Sequence, residues 1–246
     1  MNNNGVNKGA DVGAPPAYPQ TGVASTCRAY REYEAMFRLE EGDLRAGTVL
    51  DVAGGASSFT AHLRTLGIEA FAVDPFYEGV TEQVIADAEK EIEVSSAKIA
   101  ANAASFDWSF YGSPEQHRQL REQSLQRFAA DFRMEGGRKR YISAALPNLP
   151  FADDTFSLVV CSHFLFLYAD SFDERFHAAA IDEILRVLKP GGQLRIYPLV
   201  SLKWEEISYL DRLIDGVSGK ARATLISTGL PFTPRPSSLL RLVKMG

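Results

Sequence analysis

The stretch Val49-Leu50-Asp51-Val52-Ala53-Gly54-Gly55-Ala56-Ser57-Ser58-Phe59 runs from an apolar strand through a turn of small residues into the start of a helix. Small side chains let a ligand approach the backbone, and the first amides of the following helix have no partner inside it, so they point at whatever fills the turn. A nucleotide-type ligand fits there. Asp74 follows 23 residues after Asp51, at the end of a second apolar strand, where a carboxylate accepts hydrogen bonds from both hydroxyls of a ribose. A nicotinamide dinucleotide asks for Gly at the first, third and sixth positions of such a turn. Here those positions hold Ala53, Gly55 and Ser58, which disfavours a nicotinamide enzyme.

A base, if one is used, has to come from another segment. His163 follows the buried strand Ser157 to Cys161, and imidazole takes a proton near neutral pH, so it is the best general base in the sequence. Tyr168 and Tyr197 lie near the same edge and read as pocket walls. Arg31, on the helix before the first strand, can pair with a ligand carboxylate or stay a solvated surface Arg. The basic run Arg138-Lys139-Arg140 reads as a charged loop before a buried strand rather than a phosphate contact. Phe106, Trp108, Phe110 and Tyr111 either stack on a planar substrate or form a small lobe's own core. Cys27 and Cys161 are far apart and form no ligand-spaced cluster with the four histidines, so neither a disulfide scaffold nor a metal site is indicated.

These residues need a scaffold that delivers strand ends to one edge. Met1 to about Ser25 is rich in Asn, Gly, Pro, Ala and Thr without aliphatic periodicity, and is expected to be a mobile tail. Helical spacing at Tyr33, Met36, Phe37 and Leu44 predicts a helix over about 30–44, and strand 48–52, a helix carrying Phe59, Leu63 and Leu66, and strand 70–73 make a βαβ unit. Residues 26–74 thus hold an N-terminal helix and the first part of the domain. The span 75–140 reads as a helical insertion with helices about 78–104 and 113–134, the second capped by Ser113 with Pro114 in its first turn. It is too long for an ordinary strand connection and is expected to be a lid over the substrate side. Over 141–246 come a short strand near 141–144, strand 157–161, a helix opened by Ser171 and Glu174, strand 193–197, a helix over 204–217, and late strands about 222–227 and 238–244.

The acidic residue and small-residue turn resemble the first motif of the class I S-adenosylmethionine-dependent methyltransferase family, of the small-molecule and quinone type. Leu149-Pro150-Phe151-Ala152-Asp153-Asp154-Thr155-Phe156-Ser157-Leu158-Val159-Val160 is similar to that family's Leu-Pro-Phe-x-Asp-x-x-Phe-Asp-x-Val stretch leading into the fourth strand. Glu183-Ile184-Leu185-Arg186-Val187-Leu188-Lys189-Pro190-Gly191-Gly192-Gln193-Leu194 is similar to the helix, turn and fifth strand that follow. The resemblance covers about 48–74 and 141–200 well, the last 46 residues loosely, and the tail and insertion not at all. It implies an α/β fold, Rossmann-like and doubly wound, with a mostly parallel seven-stranded sheet whose last strand is antiparallel. It also implies a sulfonium cofactor, S-adenosylmethionine, along Ala53, Gly54, Gly55 and Ser57. The ribose would lie on Asp74, the adenine against Pro75, and the amino-acid end near Asp51, Ser162 and His163. The sequence departs from the family where the turn's usual first and last glycines are Ala53 and Ser57. The acidic residue that often binds the adenine amino group is Ala145, so that contact comes from Ser143 or a backbone carbonyl, or is absent.

With 46% hydrophobic residues the chain can fill a core, and a net charge of −5 gives no global positive excess to hold a phosphate backbone. No apolar run approaches the roughly 20 residues of a membrane-spanning helix, and the start lacks the basic and apolar blocks of a secretory signal. The expectation is therefore a cytoplasmic methyltransferase acting on a small molecule, with nucleic acid and membrane disfavoured as partners and the oligomeric state unread. Two other readings stand beside it. An RNA methyltransferase would show a continuous basic face joining Arg138–Arg140 to the cleft. A catalytically inactive S-adenosylmethionine-binding protein that acts through partner contacts would lack an open pocket beside the cofactor sulfur.

Overall fold

The strand Val49–Val52 (β1) is buried at all four positions because helices cover both of its faces, which is why it reads as a continuous apolar run rather than an alternation. The computed structural model describes residues 17–20 and 22–246. Along the chain, helices Tyr30–Phe37 (α1) and Glu41–Arg45 (α2) precede β1, and helix Phe59–Thr65 (α3) and strand Ala70–Val73 (β2) complete the βαβ unit. Helices Thr81–Ala101 (α4) and Pro114–Arg133 (α5) fill the insertion. The rest holds strands Tyr141–Ile142 (β3) and Phe156–Ser162 (β4), helix Glu174–Val187 (α6), strand Leu188–Tyr197 (β5), helix Leu210–Gly216 (α7), and strands Ala221–Ser227 (β6) and Ser238–Lys244 (β7).

The seven strands form one sheet in the order β3-β2-β1-β4-β5-β7-β6. The first five are parallel and β7 runs antiparallel to both β5 and β6, in agreement with the expected doubly wound sheet and antiparallel last strand. Strand order reverses at β1, so β1 and β4 point their carboxyl ends into the crevice where such sheets bind ligands. Leu50, Val52, Val159 and Cys161 face α6, while Val49, Leu158 and Val160 face α1 and α3. A third apolar cluster joins α4 and α5 to Tyr77 and Tyr141, which gives the insertion a core of its own resting on β2 and β3.

Several boundaries differ from the sequence reading. The helix expected over 30–44 is two helices, broken at Arg38, whose φ of 53° is left-handed; Arg195 of β5 donates to the Phe37 and Arg38 carbonyls and so satisfies the end of α1. Asp173, not Ser171, caps α6 by accepting from the Phe176 amide. The helix expected from Trp204 starts at Leu210, because Trp204 is left-handed and Val200 pairs with Glu206 in an isolated bridge. Ser113 caps α5 as its sequence suggests, accepting from the Gln116 amide with Pro114 in the first turn.

Of the segment 1–25 expected to be a mobile tail, residues 1–16 and 21 lie outside the described residues. The remainder is held by specific contacts. Tyr18 donates its amide to the Leu202 carbonyl at 2.8 Å, Lys98 donates to the Gln20 side chain at 3.1 Å, and the Ala24 amide donates to the Tyr168 hydroxyl at 2.9 Å. Residues 17–20 and 22–28 therefore cross the crevice between α4 and the loops after β4 and β5.

Candidate cofactor and acceptor cleft

The turn after β1 places two residues in the left-handed region, Ala53 at φ 55° and Gly55 at φ 52°. Glycine takes that conformation freely, whereas alanine costs about 1–2 kcal/mol, so the Ala53 substitution leaves the turn's shape intact at a price in backbone strain. At Gly55 a β-carbon would come within 3.0–3.1 Å of the Thr26 backbone, so glycine also lets residues 25–26 lie directly on the turn. Asp74, at the end of β2, accepts from the Gly55 amide through Oδ2 and from the Phe76 amide through Oδ1, each at 2.9 Å. The carboxylate thereby fixes the turn's geometry and keeps lone pairs for two more donors.

Asp51 lies beneath the turn, 1% exposed. Its Oδ2 accepts from the Tyr33 hydroxyl at 2.9 Å and the Ser57 hydroxyl at 3.1 Å, while Oδ1 is buried without a partner among the described residues. Burial, helped by the negative charge of Asp74, pushes Asp51 up to about 8 despite those two hydrogen bonds. Across the crevice, Arg28 is also buried, and its Nε and Nη1 have no hydrogen-bond acceptor among the described residues; Nη1 stands 3.7 Å from Glu32. Its backbone is pinned, since its carbonyl accepts from the Ser58 amide and the Ser124 hydroxyl.

Glu32, on α1, is the hub of a buried ionic network. It accepts from Arg121, from the Tyr111 hydroxyl at 2.6 Å and from the Ala29 amide at 2.6 Å. Burial alone would raise its proton affinity, but Arg121 and Arg28 overcome that and hold it at about 2. Arg121 also donates toward His117 Nε2 at 3.1 Å. Burial and the two guanidiniums push His117 down to about 2, so its ring is neutral, Nε2 accepts, and Nδ1 carries the proton.

These parts open onto a single cleft with about 940 Å³ of free space, the open solvent at its mouth included. Ala53, Asp74, Ser162, His163, Arg28 and Arg121 line it, together with Phe106, Trp204 and Phe232, where the Phe106 ring packs against both of the others. His163 has φ 52°, donates its amide to the Tyr197 carbonyl at 2.6 Å, and shares a hydrogen bond between Nδ1 and the Ser162 hydroxyl at 3.0 Å. Burial, then the charges of Arg28 and Arg121, lower its proton affinity well below the ordinary imidazole value, so the ring stays neutral across the physiological range.

The structure brings Ala53, Asp74, Ser162 and His163 to the cleft, with Asp51, Gly54, Gly55 and Ser57 forming the turn beneath its end. Pro75 is exposed beyond Asp74, and Ser143 and Ala145 are exposed at the same outer edge. Arg31 is not brought there: it is exposed, with its guanidinium 5.5 Å from the Phe110 ring centre. Tyr168 lines the cleft, whereas Tyr197 packs behind His163 at 5.3 Å between ring centres. Of the aromatic cluster, Phe106 reaches the cleft, and Trp108 and Tyr111 pack with Phe232 and His117. Sequence reasoning missed Arg28, Glu32, Arg121 and Glu91. The one available signal was an acid, Glu32, on the apolar face of α1 beside Tyr33 and Met36; its partner Arg121 is 89 residues away, and no spacing links them.

The residues fit an amino-acid group joined to a nucleoside. A buried carboxyl and a buried guanidinium with bare polar atoms match an α-ammonium and an α-carboxylate, and Asp74 matches a ribose beyond the turn. Among the described residues no group of three His, Cys, Asp or Glu could hold a metal ion, and no helix is long and apolar enough to cross a membrane.

The chain is similar to several known proteins. A family model described as a methyltransferase domain matches residues 113–196, which include the Leu149–Val160 and Glu183–Leu194 segments and stop short of the glycine turn. An uncharacterized protein of Methanocaldococcus jannaschii is 30% identical over 198 residues, covering 80% of this chain and 87% of that protein. An uncharacterized protein of Mycobacterium tuberculosis is 30% identical over 146 residues, 59% of this chain but only 46% of the longer relative. Among solved structures, a putative S-adenosyl-L-methionine-dependent methyltransferase from Methanococcus maripaludis is similar at a TM-score of 0.44 and 14% identity, covering 88% of this chain and 84% of that one. With its sheet order, its acidic residue and small-residue turn and its matched methyltransferase domain, the chain belongs to the class I, Rossmann-like family of S-adenosylmethionine-dependent methyltransferases.

Proposed function

We propose that the protein methylates a small molecule held in the far half of the cleft, with Asp74 taking the cofactor's ribose, Asp51 and Arg28 its amino-acid end, and Pro75 its adenine. When bound, S-adenosylmethionine supplies a methyl group on a sulfonium, so the protein's task is alignment and exclusion of water. Residues 17–20 and 22–28, with the α4–α5 insertion, serve as the lid. The observation that carries this reading is the enclosure of the cleft by at least eight separate segments of the chain, with many aromatic and aliphatic side chains among its lining residues.

An RNA acceptor would need a basic approach to that cleft, and the basic run does not provide one. Arg140 pairs with Asp131 at 3.2 Å, and Arg138 lies over the Phe132 ring and donates to the Gly79 carbonyl. None of the three residues lines the cleft. A cleft of about 940 Å³, its open mouth included, that Ser162 and His163 help line favours transfer over a binder that has lost it.

His163, in this reading, positions ligands rather than holding a proton. A ring whose conjugate acid is strongly disfavoured accepts a hydrogen bond well but retains a proton poorly. The test is calorimetric titration with S-adenosylmethionine and S-adenosylhomocysteine, followed by a labelled-methyl screen of metabolite and RNA fractions. Label in small molecules is the expected result, and label confined to RNA would overturn the assignment.

A further inference from the structure

α4 presents Glu91, Ser95 and Ile99 to the cleft, spaced four residues apart so that they form one stripe grading from charged to apolar. Glu91 is half-buried, and its Oε1 is fully enclosed with no hydrogen-bond partner among the described residues. Lys98, the cation on its own helix whose charge reaches Glu91, donates to the Gln20 side chain, and Glu91 forms no ion pair among the described residues. Tyr18 and Tyr168 lie close enough for the Glu91 charge to raise the proton affinity of both phenols, and both rings line the same wall.

Four ionised groups face the cleft, and three have an assigned counterpart. Arg121 is matched by Glu32, Asp74 by backbone amides and the cofactor's ribose, and Arg28 by the cofactor's carboxylate under the reading above. Glu91 remains. A bare carboxylate oxygen enclosed among aromatic rings is costly unless a cation arrives to pair with it, and tyrosine and tryptophan faces attract that cation further. We propose that the methyl acceptor is an amine that enters as its ammonium, and that Glu91 is the residue that recognises it within the wall formed by Tyr18, Tyr168 and Trp204. The proposal rests on the small-molecule reading. A carboxylate-bearing acceptor is disfavoured here because Glu91 would repel it and the two guanidiniums are already matched.

The same carboxylate answers a chemical need of such an acceptor. An ammonium has no lone pair, so one proton must leave nitrogen before it can react, and desolvation of Glu91 raises its affinity for that proton. The nitrogen lone pair then forms the new carbon–nitrogen bond as the carbon–sulfur pair returns to sulfur. Positive charge passes from sulfur to nitrogen, and no further reactant is needed.

The experiment compares three probes that share a ring and differ in the head group: phenethylamine, 2-phenylethanol and phenylacetate. Each is titrated calorimetrically into the full chain saturated with S-adenosylhomocysteine. The amine should bind at least about tenfold tighter than the alcohol or the acid. Glu91→Gln should abolish that preference, Glu91→Asp should retain most of it, and affinity for S-adenosylhomocysteine should be the same in all three proteins. Equal binding of the three probes by the wild type, or an amine preference that survives Glu91→Gln, overturns the proposal and leaves the small-molecule reading standing. So does a Glu91→Gln protein that binds S-adenosylmethionine more weakly while its S-adenosylhomocysteine affinity holds, since the carboxylate would then face the sulfonium. Methyl label found only in RNA would remove the small-molecule reading itself, and the proposal with it.

Discussion

Asp51 and Glu32 are both shut off from solvent beside the same cleft, at 1% and 0% exposure, yet they are driven to opposite charge states. Asp51 has two hydroxyl donors, no cation in contact among the described residues, and the negative charge of Asp74 nearby, and it is pushed up to about 8. Glu32 has two guanidiniums and two further donors, and it is held at about 2. Equal burial therefore sets only the size of the stakes, and the sign is decided by which partners the fold brings in. The difference also separates roles. Glu32 is satisfied and joins α1 to α5, whereas Asp51 keeps one oxygen bare and is incomplete until a cation binds.

The comparison is broken most severely at the ionic hub. Glu32→Ala leaves Arg121 and Arg28 buried without an anion and should cost about 3–5 kcal/mol in chemical denaturation. Because Glu32 is depressed from an ordinary 4.5 to about 2, its contribution in the wild type is present above pH 4.5 and fades as pH falls toward 2. An alanine variant as stable as the wild type at pH 7 would show that the network is incidental.

Next in size is the ribose contact. Asp74→Ala should weaken both S-adenosylmethionine and S-adenosylhomocysteine by about 1.5–3 kcal/mol in calorimetry, because both share the adenosine. Unchanged affinities would take Asp74 out of the site and leave it only as the residue that shapes the turn at Gly55.

Asp51→Asn probes the other carboxyl. The raised folded value means that Asp51 stabilises most below pH 3.8, and that this contribution is lost as pH rises toward about 8. The asparagine variant should therefore match or exceed the wild type in melting temperature near pH 8, with a flatter dependence on pH. An arriving ammonium favours the ionised carboxylate, so cofactor binding should release a proton and tighten with pH between about 6 and 8, by at most about 1.4 kcal/mol per unit. Titrations in buffers of different ionisation heat would register that proton in the wild type and not in Asp51→Asn.

The smallest effect is expected at His163. A neutral positioning ring should leave kcat within about tenfold of wild type in His163→Ala, against the roughly 10²–10⁴ loss that follows removal of a general base. A larger loss, recovered with an acceptor already deprotonated, would restore the base assignment.

Much of the scaffold is legible in the sequence, because its signals are local. The apolar runs at 49–52 and 157–161, the turn at Ala53–Ser57, the cap at Ser113 and the acids Asp51 and Asp74 each declare themselves within a few residues. Boundaries failed where a distant group overrode local propensity: Arg195, on β5, takes the carbonyls that end α1 at Arg38, and the Val200–Glu206 bridge delays the helix expected at Trp204. The candidate site divides in the same way. Arg31 drew attention because it lies on the helix before β1, but three residues earlier Arg28 is the one turned into the cleft.

The sequence by itself determined the βαβ start, the alternation of strands and helices, the position of the turn and the acid after β2, since hydrophobic period and small-residue turns need no long-range information. Only the tertiary structure decided that Glu32 meets Arg121 across 89 residues, that Glu91 and Phe232 line the same cleft, and that residues 22–28 lie across the crevice. Those contacts depend on how α4 and α5 pack against α1 and the sheet. The charge state of each buried carboxyl follows from that packing, because the electrostatic cost of burial is cancelled or kept by groups that no stretch of neighbouring residues contains.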